Sequence, residues 1–351
     1  QILVPYIKDL KILGIGGSVG TPKAGISGEV LVLNSFDELE EVKYKARGKI
    51  VLFNVPFTTY GETVKYRYDA PNKAAKYGAK ATLIRSIGSW SMNTPHTGTM
   101  GEYTYHKKIP HAAITSEDAM MISRISKRGQ KVVLKLNMDG KFVEDRWSRN
   151  IIAELKGSTY PEEIIVVGGH IDSWDVGQGA HDDAGGCVAA WRAVTLIKEL
   201  GLKPRRTIRI VLWTNEENGG KGNENYKNEH LSELNNHILA IESDGGVFAP
   251  QGFGFTGSEK ARDYILDIAS LLDPIGAGTI TNWGRAADVA PLNDNGVPVM
   301  SLNVDNSKYF WYHHTNADTF DKIDFREFNN CIAAMAIMSY VVSDMEKKLP
   351  R

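Results

Sequence analysis

Four consecutive apolar residues, Ile164 to Val167, run into two glycines and then into polar residues, and a second apolar run, Thr207 to Trp213, ends at Thr214-Asn215-Glu216-Glu217. Runs of this length and β-branched content read as strands buried on both faces, each delivering its carboxyl end to a loop. Further strands are expected at His237–Glu242 and Val297–Val304. Between them the pattern predicts helices at Ala184–Leu200, closed by Gly201 and Pro204, and at Glu259–Leu272, Ala286–Asn295 and Phe325–Lys348. Strand and helix alternating in this way predict an α/β three-layer sandwich with a mostly parallel central sheet, whose ligands bind beyond the carboxyl ends of the strands.

The first part of the chain has a different texture. GEVLVL, GKIVLFNV and ATLIRSI read as strands, and NKAAKYG and SEDAMMISRIS as helices, a mixture of brief elements that predicts a β-rich accessory domain over residues 1–130. The catalytic domain is then expected over residues 131–351, opened by an antiparallel pairing of VVLKLNMDGKFVE with NIIAELKG.

At 351 residues and 42% hydrophobic content the chain can bury one large core and a second module. A formal net charge of −1 without a basic cluster argues against nucleic acid and for a small, roughly neutral ligand. The longest apolar stretch, Cys331 to Val342, is too short to span a bilayer. The two cysteines, Cys187 and Cys331, lie in helical stretches among small apolar residues and are expected to be buried free thiols. No charged-then-apolar leader opens the sequence and no Asn-x-Ser/Thr sequon occurs, so secretion has no direct support from the residues.

Polar residues at the strand ends carry the chemistry. His170, Asp172 and Asp182 follow the first buried strand, Glu216 and Glu217 the second, and Asp244 and His314 complete a set of imidazoles and carboxylates suited to zinc. An Asp-Asp or Glu-Glu pair is ordinarily a solvated surface feature; placement directly after VLWTN overturns that reading, because a solvated face is not expected there. With five candidate ligands, His170, Asp182, Glu217, Asp244 and His314, and one bridging aspartate, each of two metals gains three protein ligands and keeps a position for a shared water. Glu216, beside a ligand but not needed as one, is the candidate general base. Asp172, two residues beyond His170, is placed to orient its imidazole.

Two other glycine-rich readings fail. Gly16-Gly17-Ser18-Val19-Gly20 matches G-x-S-x-G, but no helix follows, so Ser18 is rejected as a nucleophile. The same glycines do not fit the dinucleotide spacing.

The strings GGHIDSWDVGQGAHDDAGG, WTNEENGG, IESDGG and HHTNADT closely resemble the di-zinc aminopeptidase and carboxypeptidase family, and the resemblance runs from Leu10 to Arg351. It implies a zinc-exopeptidase sheet with a protease-associated-like accessory domain, two zinc ions, and hydrolysis of short peptides, with unblocked dipeptides the expected substrates. It implies that Asp182 bridges, that His170 and Asp244 complete one site and Glu217 and His314 the other, and that the Asp182-Asp183 peptide is cis. His313 competes with His314, and the family pattern selects His314. The resemblance also implies a homodimer that is secreted or lysosomal, and members carry further residues ahead of the segment where this sequence begins. His96, on a Pro-Gly-flanked loop, is expected to contact substrate as part of a lid, and Asp288 to stand in a pocket wall running from Trp283. His106, His111, His230 and His237 are expected to be ordinary surface or loop residues, and His181 has no role assigned. A single-zinc glutaminyl cyclase-like acyltransferase and a non-catalytic receptor module on the same scaffold are the alternative readings.

Overall fold

The apolar runs of the first half form neighbouring parallel strands in the computed structural model, which describes residues 1–351. The strands of this half are β1 (Ile2–Val4), β2 (Ile12–Gly14), β3 (Ile26–Leu33), β4 (Ile50–Phe53), β5 (Ala81–Arg85), β6 (His111–Ile114) and β7 (Val133–Leu136). They make one sheet in the order β1-β7-β3-β4-β5-β6-β2, with β3 to β6 parallel. Successive side chains point to opposite faces. Val51 and Phe53 therefore pack with Tyr66, Ala70 and Ala74 of helix Tyr60–Lys76, whereas Ile50 and Leu52 pack with Ala119, Ile122 and Ile125 of helix Ser116–Lys127. Ser18 is buried here and serves the backbone, accepting from the His111 N–H at 2.8 Å, which agrees with its rejection as a nucleophile.

One expected pairing does not form. Residues 133–136 do not pair with the strand that follows them; β7 lies antiparallel to β1 and β3. The reason is burial: Leu134 and Leu136 belong to the same apolar cluster as Ile2 and Val30. By clustering of contacts, residues 1–146 together with 310–317 form one unit and residues 147–309 with 318–351 a second.

The second unit is built on β8 (Ile151–Leu155), β9 (Tyr160–His170), β10 (Arg206–Trp213), β11 (His237–Glu242), β12 (Pro250–Thr256), β13 (Thr279–Thr281) and β14 (Val299–Val304), in the order β13-β12-β14-β11-β9-β10-β8. The central four, β10, β9, β11 and β14, are parallel, and β8 and β12 are antiparallel to their neighbours β10 and β14. Helices Gly185–Glu199 and Phe325–Asp344 pack together over β9 and β10. Ile164, Val166, Val211, Trp213 and Ala240 join Tyr226 and Leu292 in a separate cluster.

The expected helix Ala286–Asn295 is only a single turn, Ala290–Asn293, because the preceding backbone is committed elsewhere: the N–H groups of Asp288 and Val289 both donate to Glu242 Oε2. The helix from Glu259 ends at Ala269 and continues as a 3₁₀ segment that contains Pro274. Strand β12 was not legible because it is glycine-rich; a Cβ on Gly254 would sit 1.7 Å from the Trp283 carbonyl, so the close approach of that segment demands glycine. No helix is long and apolar enough to cross a membrane. Cys187 and Cys331 are buried free thiols, as their surroundings in the sequence imply.

Candidate metal centre

Strand β9 ends at His170, which is 1% exposed, and the side chains around it come from the loops at the carboxyl ends of β9, β10 and β11. The imidazole is fixed from behind. His170 Nδ1 lies 2.7 Å from the backbone carbonyl of Asp172, which can only accept, so Nδ1 carries a proton and Nε2 is the ring nitrogen turned toward the carboxylates. The sequence placed this orienting role on the Asp172 carboxylate; its Oδ1 is instead 3.9 Å from His170 Nδ1 and accepts from the Glu216 N–H at 3.0 Å. Asp172 thus joins the loops after β9 and β10 at the position of the candidate base.

Nε2 of His170 is 3.2 Å from Asp182 Oδ1 and 3.2 Å from Asp244 Oδ1. The ligand atoms of these three residues all lie within 4.8 Å of one another. Asp182 sits in the turn Ala180–Ala184 that leads into helix Gly185–Glu199, and the Asp182-Asp183 peptide is cis. Asp318 holds the turn in place: its two carboxylate oxygens accept the N–H groups of His181, at 2.8 Å, and Asp182, at 3.1 Å. Asp183 faces the opposite way and ties the turn to β9, accepting from the His170 N–H at 3.0 Å and the Gly186 N–H at 3.2 Å. A Cβ on Gly169 would come within 2.2 Å of that carboxylate, which accounts for the glycine before the ligand.

His181, to which the sequence gave no role, is buried, stacks on Phe248 with ring centroids 4.1 Å apart and accepts the Val247 N–H at Nδ1. Burial pushes its pKa down to about 4, so it is a neutral brace for the turn.

The glutamate pair is splayed by Asn215, which adopts φ 69, a left-handed conformation that asparagine tolerates better than most residues. Glu217 is buried and its Oε2 accepts from Trp174 Nε1 at 2.7 Å. Glu216 is half-buried; burial and the neighbouring Asp244 charge push its carboxyl up to about 9. Asp288 is 1% exposed, accepts from Asn223 Nδ2 at 2.9 Å, and is pushed up to about 7 by burial and by Asp244. Tyr309, which the sequence did not single out, is buried, and burial together with the charges of Asp182, Asp244, Asp183 and Glu217 raises its pKa. For His170, burial lowers the pKa but the Asp182 and Asp244 carboxylates more than reverse it. So many acidic groups drawn around one imidazole repel one another, and a divalent cation among His170, Asp182 and Asp244 relieves that repulsion with the oxygen and nitrogen donors zinc accepts.

His314 belongs to the first unit. It adopts φ 59, stacks on His313 at 3.5 Å, and Nδ1 lies 3.2 Å from the Thr97 carbonyl. His96 is buried in the same unit rather than displayed on an open loop, and burial with the charges of His314 and Arg67 pushes its pKa down to about 3. His111 and His237 are likewise fully buried, a correction to their reading as surface or loop residues. Each begins a strand and is satisfied there, His111 by Thr82 and the Arg67 carbonyl, His237 by Tyr226 and the Glu233 carbonyl.

A parallel sheet that brings a buried imidazole and several carboxylates to its strand ends, with a further glutamate beside them, defines a metal-dependent hydrolase. Comparison with known proteins narrows the class. The model of peptidase family M28 matches residues 150–339. The chain is 48% identical over 350 residues to carboxypeptidase Q of Homo sapiens, covering 100% of this chain and 74% of that protein. It superposes with TM-score 0.95 on the crystal structure of a peptidase M28 precursor from Shewanella amazonensis SB2B, at 34% identity, covering 100% of this chain and 81% of that one. A zinc aminopeptidase from Bacillus subtilis shares the fold, with TM-score 0.69 at 21% identity over 98% of this chain and 81% of that one. The chain belongs to peptidase family M28. It is a metal-dependent exopeptidase, and the acyltransferase and receptor readings are not favoured.

Proposed function

We propose that the chain is a di-zinc carboxypeptidase that hydrolyses short peptides, with unblocked dipeptides as its substrates. The observation that carries the proposal is the convergence of Asp182 and Asp244 on His170 Nε2, each at 3.2 Å, with the imidazole locked from behind by the Asp172 carbonyl. Identity of 48% to a protein named carboxypeptidase Q supports the direction of cleavage. In this reading His170 and Asp244 hold one zinc, Glu217 and His314 hold the other, and Asp182 serves both. For His314 the support is the motif HHTNADT, whose Asp318 fixes the backbone of Asp182. Zinc held by these residues would supply a Lewis acid for the scissile carbonyl and would lower the pKa of a nearby water.

Glu216 takes the proton of the attacking water and returns it to the leaving amine. The Asp172 carboxylate, accepting from its N–H at 3.0 Å, holds it in place. The same reading makes the enzyme a homodimer that is secreted or lysosomal. The test is metal analysis together with substrate comparison. Two zinc equivalents per chain are expected, with free dipeptides cleaved and their N-acetylated and C-amidated forms resistant. One equivalent, or equal cleavage of blocked peptides, overturns the proposal.

Specificity is assigned to a cleft of about 340 Å³ that begins at Asp244. Gln251, Ser301, Asn303 and Asn306 line it, and no charged side chain other than Asp244 does. Ser301 and Asn303 share one face of β14 opposite Gly254 and Gly252, and Asn303 Nδ2 donates to Thr281 Oγ1 at 3.0 Å. Amides and hydroxyls lining a cleft of this size favour a small polar, uncharged substrate side chain. Asn303→Leu is expected to raise KM for peptides carrying serine or asparagine about tenfold, the worth of roughly one hydrogen bond, and to leave leucine peptides and zinc content unaffected. An equal change for both substrate types removes Asn303 from the specificity pocket.

A further inference from the structure

Within the first unit, His314 is held by a short segment far from it in sequence. The Thr97 N–H donates to the His314 carbonyl at 3.0 Å, and the His314 ring returns to the Thr97 carbonyl at 3.2 Å. A carbonyl only accepts, so Nδ1 of His314 carries a proton and Nε2 is the ring nitrogen left for a metal. The Thr97 carbonyl is itself held by Arg67 Nη1 at 3.4 Å, while Arg67 Nε binds the Thr99 carbonyl at 3.0 Å and Nη2 the Tyr60 hydroxyl at 2.8 Å. Arg67 is 4% exposed, so this support is rigid.

His96 fixes the other side. Its N–H donates to Ser86 Oγ at 2.9 Å, Ser86 in turn donates to the Ile114 carbonyl of β6, and the His96 ring bonds the His313 carbonyl. His96 Nδ1 has no hydrogen-bond partner, so the donor to His313 is Nε2. Gly98, at φ 133, closes the arrangement: a Cβ there would lie 2.3 Å from Arg67 Nη1 and 2.8 Å from His314 Nδ1. His314 at φ 59 is a non-glycine residue in the left-handed region, where such residues persist only when their surroundings over-determine them.

We propose that His96, Thr97 and Gly98, backed by Arg67, form a clamp that sets the backbone, ring orientation and tautomer of His314, so that this segment of the first unit positions a metal ligand and does not bind the peptide. The inference rests on the reading of His314 as a ligand. It replaces a substrate contact at His96 with a positioning role: the ring acts on the His313 carbonyl and through it on the neighbouring histidine.

The test uses the zinc-loaded full chain and three variants. His96→Leu removes the donor to His313, His96→Gln retains one, and His314→Ala removes the ligand itself. The clamp predicts that His96→Leu, folded by circular dichroism and thermal melting, loses one of two zinc equivalents on dialysis against a weak chelator. Its affinity for that zinc should fall about 10- to 100-fold, as for other residues that orient a metal-bound histidine. Its cobalt-substituted form should show an altered visible spectrum, His96→Gln should recover much of the affinity, and KM at saturating zinc should stay unchanged. Wild-type zinc affinity in His96→Leu, or a raised KM with both zincs retained, overturns the clamp. If His96→Leu does not fold, His96→Gln and Gly98→Ala carry the same readout, the first near wild-type and the second depleted of one zinc. Two tightly bound zincs in His314→Ala would show that the ligand assignment itself is wrong, an outcome distinct from failure of the clamp alone.

Discussion

Glu216→Gln is expected to bind both zincs with wild-type stoichiometry and to lose nearly all turnover. The amide has the shape of the carboxylate but cannot accept the proton of water, so the loss is that of general base catalysis, on the order of 10²- to 10⁴-fold in kcat. Nothing that positions the residue depends on the carboxylate. Its backbone N–H is held by Asp172 Oδ1 at 3.0 Å, and the left-handed turn at Asn215, φ 69, precedes it. The neighbouring Glu217 keeps its bond from Trp174, at 2.7 Å. The measurement is kcat alongside zinc content on the same preparation. Turnover within a few-fold of wild type, with zinc bound, removes Glu216 as the base. Loss of zinc together with activity would instead make Glu216 a ligand and exchange the roles of the pair.

The parts of this site that could be read from the sequence are those that follow buried strands. Apolar runs at Ile164–Val167 and Thr207–Trp213 specify strands by themselves, and what comes next, His170 or Glu216, is placed at a sheet edge by chain continuity alone. Side-chain pattern reports the face a residue occupies, not the distant group that takes its hydrogen bond. Asp318 holds the Asp182 backbone from 136 residues away, and no local periodicity marks it. Asp183, to which the sequence assigns no role, ties the ligand turn to β9. Asp172 divides its role, since its carbonyl orients His170 and its carboxylate serves Glu216, and the local pattern does not mark which group does which. The pairing of β7 was missed for a similar reason, since alternation in Val132–Leu136 says that one face is buried but not against which sheet. His96, His111 and His237 lie at loop or strand boundaries, where polar sequence context hides full burial. β12 and β13 carry too few apolar residues to stand out, because backbone approach at Gly252 and Gly254 excludes side chains.

Asp182→Asn is expected to weaken both zincs together, which no other single ligand substitution should do. The turn that carries residue 182 is built by its neighbours. Asp318 binds the N–H groups of residues 181 and 182, Asp183 binds those of His170 and Gly186, and His181 stacks on Phe248. The substitution therefore leaves the backbone in place and removes one negative charge and one strong donor atom from the point 3.2 Å from His170 Nε2. A carboxylate that bridges two dications screens their repulsion, and a neutral amide with a single good donor oxygen cannot serve both. The expected fall in affinity exceeds the roughly 10- to 100-fold seen when only a residue orienting a ligand is lost, and it should appear in both steps of a zinc titration. Asp244→Asn is the contrast, since it should weaken one step and leave the other near wild type. If Asp182→Asn also loses a single equivalent, Asp182 serves one metal only, and the two zincs would have to be held apart by something other than a shared aspartate.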